Sequence, residues 1–381
     1  MKLLTDRRRR WFARRHQSEA KRRSRRHRKN LVQVAIAGSV FLAPPGRAEP
    51  MPEVLCFDQD CSGTLEALAK IRQRWFTPVK GGTRLGHRRL GSRPHVSTGS
   101  YKALECIKSI TPAAALVLAA EYDRACEIAD RRPYLVNVPG WNCEVRSILQ
   151  AIGFLELFGI QDDLAATMDT GQMAVLRMKT GKVHDSVAIR NLVEGLKALF
   201  PASTPPDGAK SLALFDALTE AVGNVMHHAY PADGTYITPH VGRWWMTGAV
   251  NRNAGRTAAA VYDQGTTIPV SLPGWVSYPG VRRRVIEACQ RLGVTDPADA
   301  PRWDGHAIKA AVEESATSTG LPGRGHGLAQ MRQFVDVCES GRLRILSRNG
   351  EVVFRPNREP YINHHGAPIC GTLVEWDVYL R

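Results

Sequence analysis

The sequence predicts an α/β and α+β protein of two domains behind a basic tail, and three observations predict it. A chain of 381 residues with 43% hydrophobic content is long enough for two ordinary cores. Short strand-like and helix-like runs alternate from Leu31 to Asp163, the pattern of a small α/β domain. Beyond a polar connector at 161–170, a helix with one apolar stripe at Leu214, Leu218, Ala221, Val222, Val225 and Ala229 stands among strand runs. The expected divisions are a tail at 1–30, a first domain at 31–165 and a second at 170–381.

The tail holds fourteen Lys or Arg against Asp6 and Glu19, so it carries +12 of the formal +16. The folded body is therefore only mildly basic. The tail is read as disordered; through charge alone it could also contact nucleic acid. Val32, Val34, Ile36 and Val40 suit a strand. The apolar run Leu31–Ala43 is too short to span a bilayer as a helix. No other run suggests a span, and the cytoplasm is the expected compartment. Eight scattered cysteines without a CxxC pair point to reduced thiols rather than a disulfide or zinc framework.

Val54–Phe57 reads as a strand and Gly63–Arg74 as a helix; 78–95 is an aperiodic Gly- and Arg-rich loop. Thr111-Pro112 opens a helix from Ala113 to Asp130, with Thr111 at the cap. Tyr134–Val138 reads as a strand and Val145–Phe158 as one helix ending at Gly159. Met173–Met178 suits a strand and Ser186–Leu199 an amphipathic helix. Then come the helix at Leu212–Tyr230 and strands at His240–Trp245 and Thr257–Tyr262, with a turn at Asn251–Gly255. A basic helix carries Arg282, Arg283 and Arg284, read chiefly as a solvated face. Asn349-Gly350, between Arg342–Ser347 and Glu351–Phe354, gives a strong hairpin signal. Leu373–Leu380 closes the chain as a strand.

Three boxes carry chemistry. On the central helix Glu220 and Asn224 sit one turn apart, with His228 a turn further. A carboxylate can take a proton, and an amide oxygen can ligate a hard cation. A small apolar run, Ala258–Tyr262, ends at Asp263-Gln264-Gly265. An aspartate at a strand end can accept from the exocyclic amine of adenine. Gly323-Arg324-Gly325-His326-Gly327-Leu328 opens a helix, and its glycines let amides approach an anion at the helix N-terminus.

These three boxes in this order resemble the ATP-binding domain shared by gyrase B, Hsp90, histidine kinases and MutL, the GHKL or Bergerat-fold family. Thr219–Tyr230 is most similar to its anti-sigma-factor serine-kinase branch, and Gly371-Thr372-Leu373 matches its pocket-closing strand. Thr267 stands where the family commonly has a second glycine. The resemblance covers about residues 170–381. It implies an α/β sandwich, a mixed sheet with helices on one face, and a lid at about 270–322.

It further implies ATP and Mg²⁺ as cofactors. Glu220 would be the catalytic residue and Asn224 the metal ligand. Asn224, Asp263, Gly265, Gly323, Arg324, Gly325, His326, Gly327, Leu328 and Thr372 would bind ATP. Ile110–Ala120, Asn137-Val138-Pro139 and Ile152-Gly153-Phe154 are similar to STAS domains, which partner anti-sigma kinases; Ser109 and Thr111 lie near their phosphoacceptor position. An ATP-binding regulator acting on a protein partner, an ATPase driving a conformational switch, and a nucleic-acid binder all stand as readings. A homodimer is compatible with the sequence.

Overall fold

The computed structural model describes residues 31–36, 38–44, 46–76, 100–129, 133–160, 173–201, 205–234, 236–272, 278–291, 301–317, 327–338 and 340–380. The basic tail, the loop at 78–95, the connector at 161–170 and Gly323, Arg324, Gly325 and His326 lie outside these residues.

The protein is a mixed α/β molecule built on one six-stranded sheet. Its strands are β8 (Met173–Val175), β9 (Lys179–Gly181), β10 (Trp244–Asn251), β11 (Arg256–Asp263), β12 (Gly341–Arg355) and β13 (Arg358–Val378). They lie in the order β12-β13-β11-β10-β8, with β9 also on β10. The turn expected at Asn251–Gly255 does join β10 to β11.

The expectation of a mixed sheet gives way here; the helices contributed by residues 170–381 pack against one face. Neighbouring strands all pair antiparallel, and both faces are covered. Side chains alternate across a strand, so Trp244, Met246, Val261, Ile345 and Val374 face one core while Trp245, Tyr262, Leu346 and Leu373 face another. The unbroken apolar runs Trp244-Trp245-Met246 and Ala258–Tyr262 are what two-sided burial demands.

The first core holds α4 (Ser186–Ala198), α5 (Gly208–Asn224), α8 (Asp304–Thr317) and α9 (Gly327–Val337). Asp185 and Asp207 accept from the amides of Ala188 and Lys210, which caps α4 and α5. Between β11 and α8 run the short helix α6 (Ile268–Ser271) and α7 (Tyr278–Arg291). Arg284 of α7 pairs with Glu314 of α8 at 2.9 Å. Arg282 is exposed, as a solvated face predicts.

Against the opposite face lie α1 (Cys61–Phe76), α2 (Pro112–Ile128) and α3 (Cys143–Ala151), sharing a core with Trp245, Tyr262 and Leu373. Thr111 caps α2 by accepting from the Ala114 amide. This use accounts for the hydroxyl without a phosphoacceptor role. The run read as one helix over 145–158 is α3 followed by a separate 3-10 turn, Leu155–Phe158, broken by Gly153 at φ 91. Around these helices sit small sheets. In one, β1 (Val32–Ile36) pairs with β2 (Ser39–Ala43) and β7 (Leu135–Val136). In the others, β3 (Arg47–Pro50) pairs with β5 (Ser100–Ala103) and β4 (Val54–Leu55) with β6 (Ser109–Ile110).

The hairpin expected at Asn349-Gly350 is not there. β12 runs through it, and the turn falls at Pro356-Asn357, where Asn357 takes φ 52. Asn349 instead faces a bulge. Arg348 pairs with Ile369 and Gly350 with His364, so residues 365–368 loop out of register. The Asn349 side-chain amide donates to the His365 carbonyl at 2.7 Å, holding the loop shut.

Cys56, Cys61, Cys106, Cys126, Cys143, Cys338 and Cys370 are free thiols. No helix among the described residues is long and apolar enough to cross a membrane.

Candidate functional site

A cleft opens where α5, the end of β11, β13 and α9 meet. Asn224, His228, Asp263, Leu328 and Thr372 line it, with Ala221, Val261, Thr266, Ile268, Ser271, Met331 and Val374 among its walls. Its volume is about 510 Å³ counted out to the open mouth.

Helix α5 delivers Asn224 at its last turn and then widens into a π-turn, Val225–Ala229. Such turns are rare and concentrate at functional sites, because the extra residue re-aims the side chains that follow. Asn224 and His228 both reach the cleft. The Asn224 side-chain amide nitrogen is buried with no hydrogen-bond partner among the described residues.

The π-turn also clamps the strand end. The amide of Thr266 donates to the Ala229 carbonyl at 2.6 Å. Tyr230 accepts from the Gln264 amide at 3.0 Å and donates to the Arg243 carbonyl at 2.6 Å. Gly265 is required in this clamp, since a Cβ there would lie 2.1 Å from the Ala229 oxygen. Thr267 sits at φ −75 in extended backbone, so a residue with a Cβ is unstrained there, and α6 starts directly behind it.

Asp263 ends β11 at 5% exposure. Burial pushes its carboxyl up to about 7, although amides of Gly265 and Thr372 pull the other way. The Gly265 amide donates to one carboxyl oxygen at 2.8 Å. Across the sheet Thr372 pairs with Asp263 in register, and its hydroxyl meets Ser347 Oγ at 2.8 Å. Ser347 in turn accepts from the Ile268 amide at 2.8 Å, which fixes the rim. Gly371, at φ 93, brings β13 so close that a Cβ would lie 2.1 Å from the Asp263 carbonyl oxygen.

The structure thus gathers Asn224, Asp263, Thr372 and Leu328 around one cleft, with Gly265 in its supporting turn. Glu220 is different. It is half-buried one turn before Asn224 and is not among the lining residues. Gly327 starts α9. Sequence reading missed Met331, Val374 and Ser271, apolar or small residues whose only signal is their place on elements that carry a box.

Protein-family models, curated proteins and solved structures were all compared with the chain, and none matches.

Proposed function

We propose that the chain is an ATP- and Mg²⁺-binding regulatory protein of the Bergerat type, which switches a protein partner through its nucleotide state or by phosphoryl transfer to a serine or threonine. On this reading the six-stranded sheet with α4, α5, α8 and α9 is the ATP-binding sandwich, and residues 31–165 form a STAS-like regulatory layer on its other face.

The observation that carries the proposal is the meeting of Asn224, Asp263 and Thr372 in one cleft from segments far apart in sequence. The donor set fits the group. A buried amide with an unpartnered nitrogen offers its oxygen to a hard cation and its N–H to a phosphate. A buried carboxyl beside apolar Val261 and Ile268 suits the edge and face of a purine. Bound Mg²⁺ would supply charge neutralisation at the phosphates. In this scheme Asp263 selects the base by accepting its amine, Asn224 holds the cation, and Glu220 orients or deprotonates the attacking hydroxyl.

The test is calorimetric titration of ATP with and without Mg²⁺. Binding in Mg²⁺, weakened at least tenfold in Asp263→Ala, supports the proposal. Unchanged affinity in both Asp263→Ala and Asn224→Ala overturns it. With γ-labelled ATP, label on a protein marks a kinase and free phosphate an ATPase.

A further inference from the structure

A second cluster lies on the far side of the sheet, where the start of α1 meets the β12–β13 bulge. Ser62 is exposed, and its Oγ lies 3.0 Å from His365 Nδ1. His365 is 1% exposed, and its Nε2 lies 2.9 Å from Glu351 Oε2. Burial pushes Glu351 up, but the hydrogen bond from His365 and the Arg344 guanidinium hold it below its ordinary value, so it is an ionised acceptor. A carboxylate on Nε2 requires the N–H there, which leaves the Nδ1 lone pair facing the serine hydroxyl.

We propose that Ser62, His365 and Glu351 form a nucleophilic triad that accepts an acyl group from an uncharged ester. The two ring nitrogens exchange roles relative to the serine-protease arrangement, while the sequence hydroxyl, base, buried carboxylate is kept. Three features build it. The bulge at 365–368 takes His365 out of the ladder, and Asn349 and Arg72 hold its carbonyls at 365 and 368. Arg344 anchors Glu351 at 2.8 Å. Ser62 lies in the first turn of α1, whose dipole favours negative charge developing on Oγ.

In the reaction, Oγ adds to the ester carbonyl carbon as His365 Nδ1 takes the hydroxyl proton. The carbon–oxygen bond to the alcohol breaks, and the alcohol leaves with that proton. Water then attacks the acyl-serine, again through Nδ1, releasing the carboxylic acid and restoring the hydroxyl.

A divalent cation is the rival occupant, because ligand atoms of Cys61, Glu351 and His365 lie within 4.8 Å of one another. The relay is favoured on two grounds. Both ring nitrogens of His365 are engaged, and Arg344 already supplies positive charge to Glu351.

The experiment uses the full chain and a fluorophosphonate probe, with the adduct located by peptide mass spectrometry. Labelling is expected on Ser62 in the folded protein. It should be absent in Ser62→Ala and at least tenfold slower in the urea-unfolded chain. The exposed Ser62 is not the helix cap; Asp60 accepts from the Gly63 amide, so Ser62→Ala keeps the fold. Hydrolysis of p-nitrophenyl acetate should fall at least tenfold in the same variant. No adduct at Ser62, or equal labelling rates folded and unfolded, overturns the triad. Protection of Ser62 by micromolar Zn²⁺ that disappears in Cys61→Ala also overturns it and reassigns the cluster to a metal.

Discussion

The two faces of the central sheet hold buried charge differently. On the face under α1, Arg344 spends its whole guanidinium on carboxylates: Nε on Glu351, Nη1 on Glu375 and Nη2 on Asp58. Arg72 likewise joins Glu121 to the Pro368 carbonyl. On the cleft face, Asn224 carries a buried amide nitrogen without a partner among the described residues, and Asp263 is buried against backbone amides with no cation beside it among the described residues. Saturated ion pairs fix one arrangement of two layers. Polar groups buried without partners cost stability, and a protein keeps them where something else completes them.

The largest effect expected from this contrast is on the saturated face. Arg344→Ala leaves three carboxylates together in a buried site and should cost about 3–5 kcal/mol in urea unfolding. A loss under about 1 kcal/mol would mean the network is wet and the contrast false.

Next comes pH. The Asp263 carboxyl is raised from 3.8 to about 7, so the folded state binds the extra proton in that window. Its contribution is greatest below pH 3.8 and is lost as pH rises to about 7, at about 1.4 kcal/mol per pH unit. Asp263→Asn should remove this slope, read as the difference between variant and wild-type melting across pH. If the cleft takes ATP as proposed, its binding would need the ionised acceptor and should strengthen in the wild type from pH 6 to 8.

A smaller effect is expected at the cleft. Asn224→Ala should change unfolding free energy by no more than about 1 kcal/mol, since its amide nitrogen has no partner among the described residues, and on the proposed reading it should abolish Mg²⁺-dependent nucleotide binding. A loss above about 3 kcal/mol would make Asn224 structural. Smallest is Arg284→Ala on α7, whose partly exposed pair with Glu314 is worth about 0–1 kcal/mol.

Much of this was legible in the sequence, because local rules decided it. Thr111-Pro112 could only cap and start α2, and Ala258–Tyr262 could only be a buried strand. The convergence of Asn224, Asp263 and Thr372 was legible only because each stood in a box of recognisable chemistry. What failed depended on contacts far away in the chain. Asn349-Gly350 has the chemistry of a two-residue turn, yet Asn349 spends its amide on the 365–366 carbonyls and the strand continues. The mixed sheet that the resemblance implied failed for the same reason, since strand direction is set by which distant segments pair, and here every neighbour in the main sheet is antiparallel. Ser62 and His365 gave no signal, since 303 positions separate them and no spacing rule spans that gap.

One strand end ties these results together. Asp263 and Tyr262 are neighbours that point in opposite directions, the first into the cleft and the second, through its hydroxyl, onto the Cys370 carbonyl at 2.6 Å beneath α2. Sliding β11 by a single residue would drive an acid into oil and a phenol into the mouth of the cavity. Length changes are therefore confined to the Asn251–Arg256 bend, and a library of insertions should survive there and nowhere else along that ribbon.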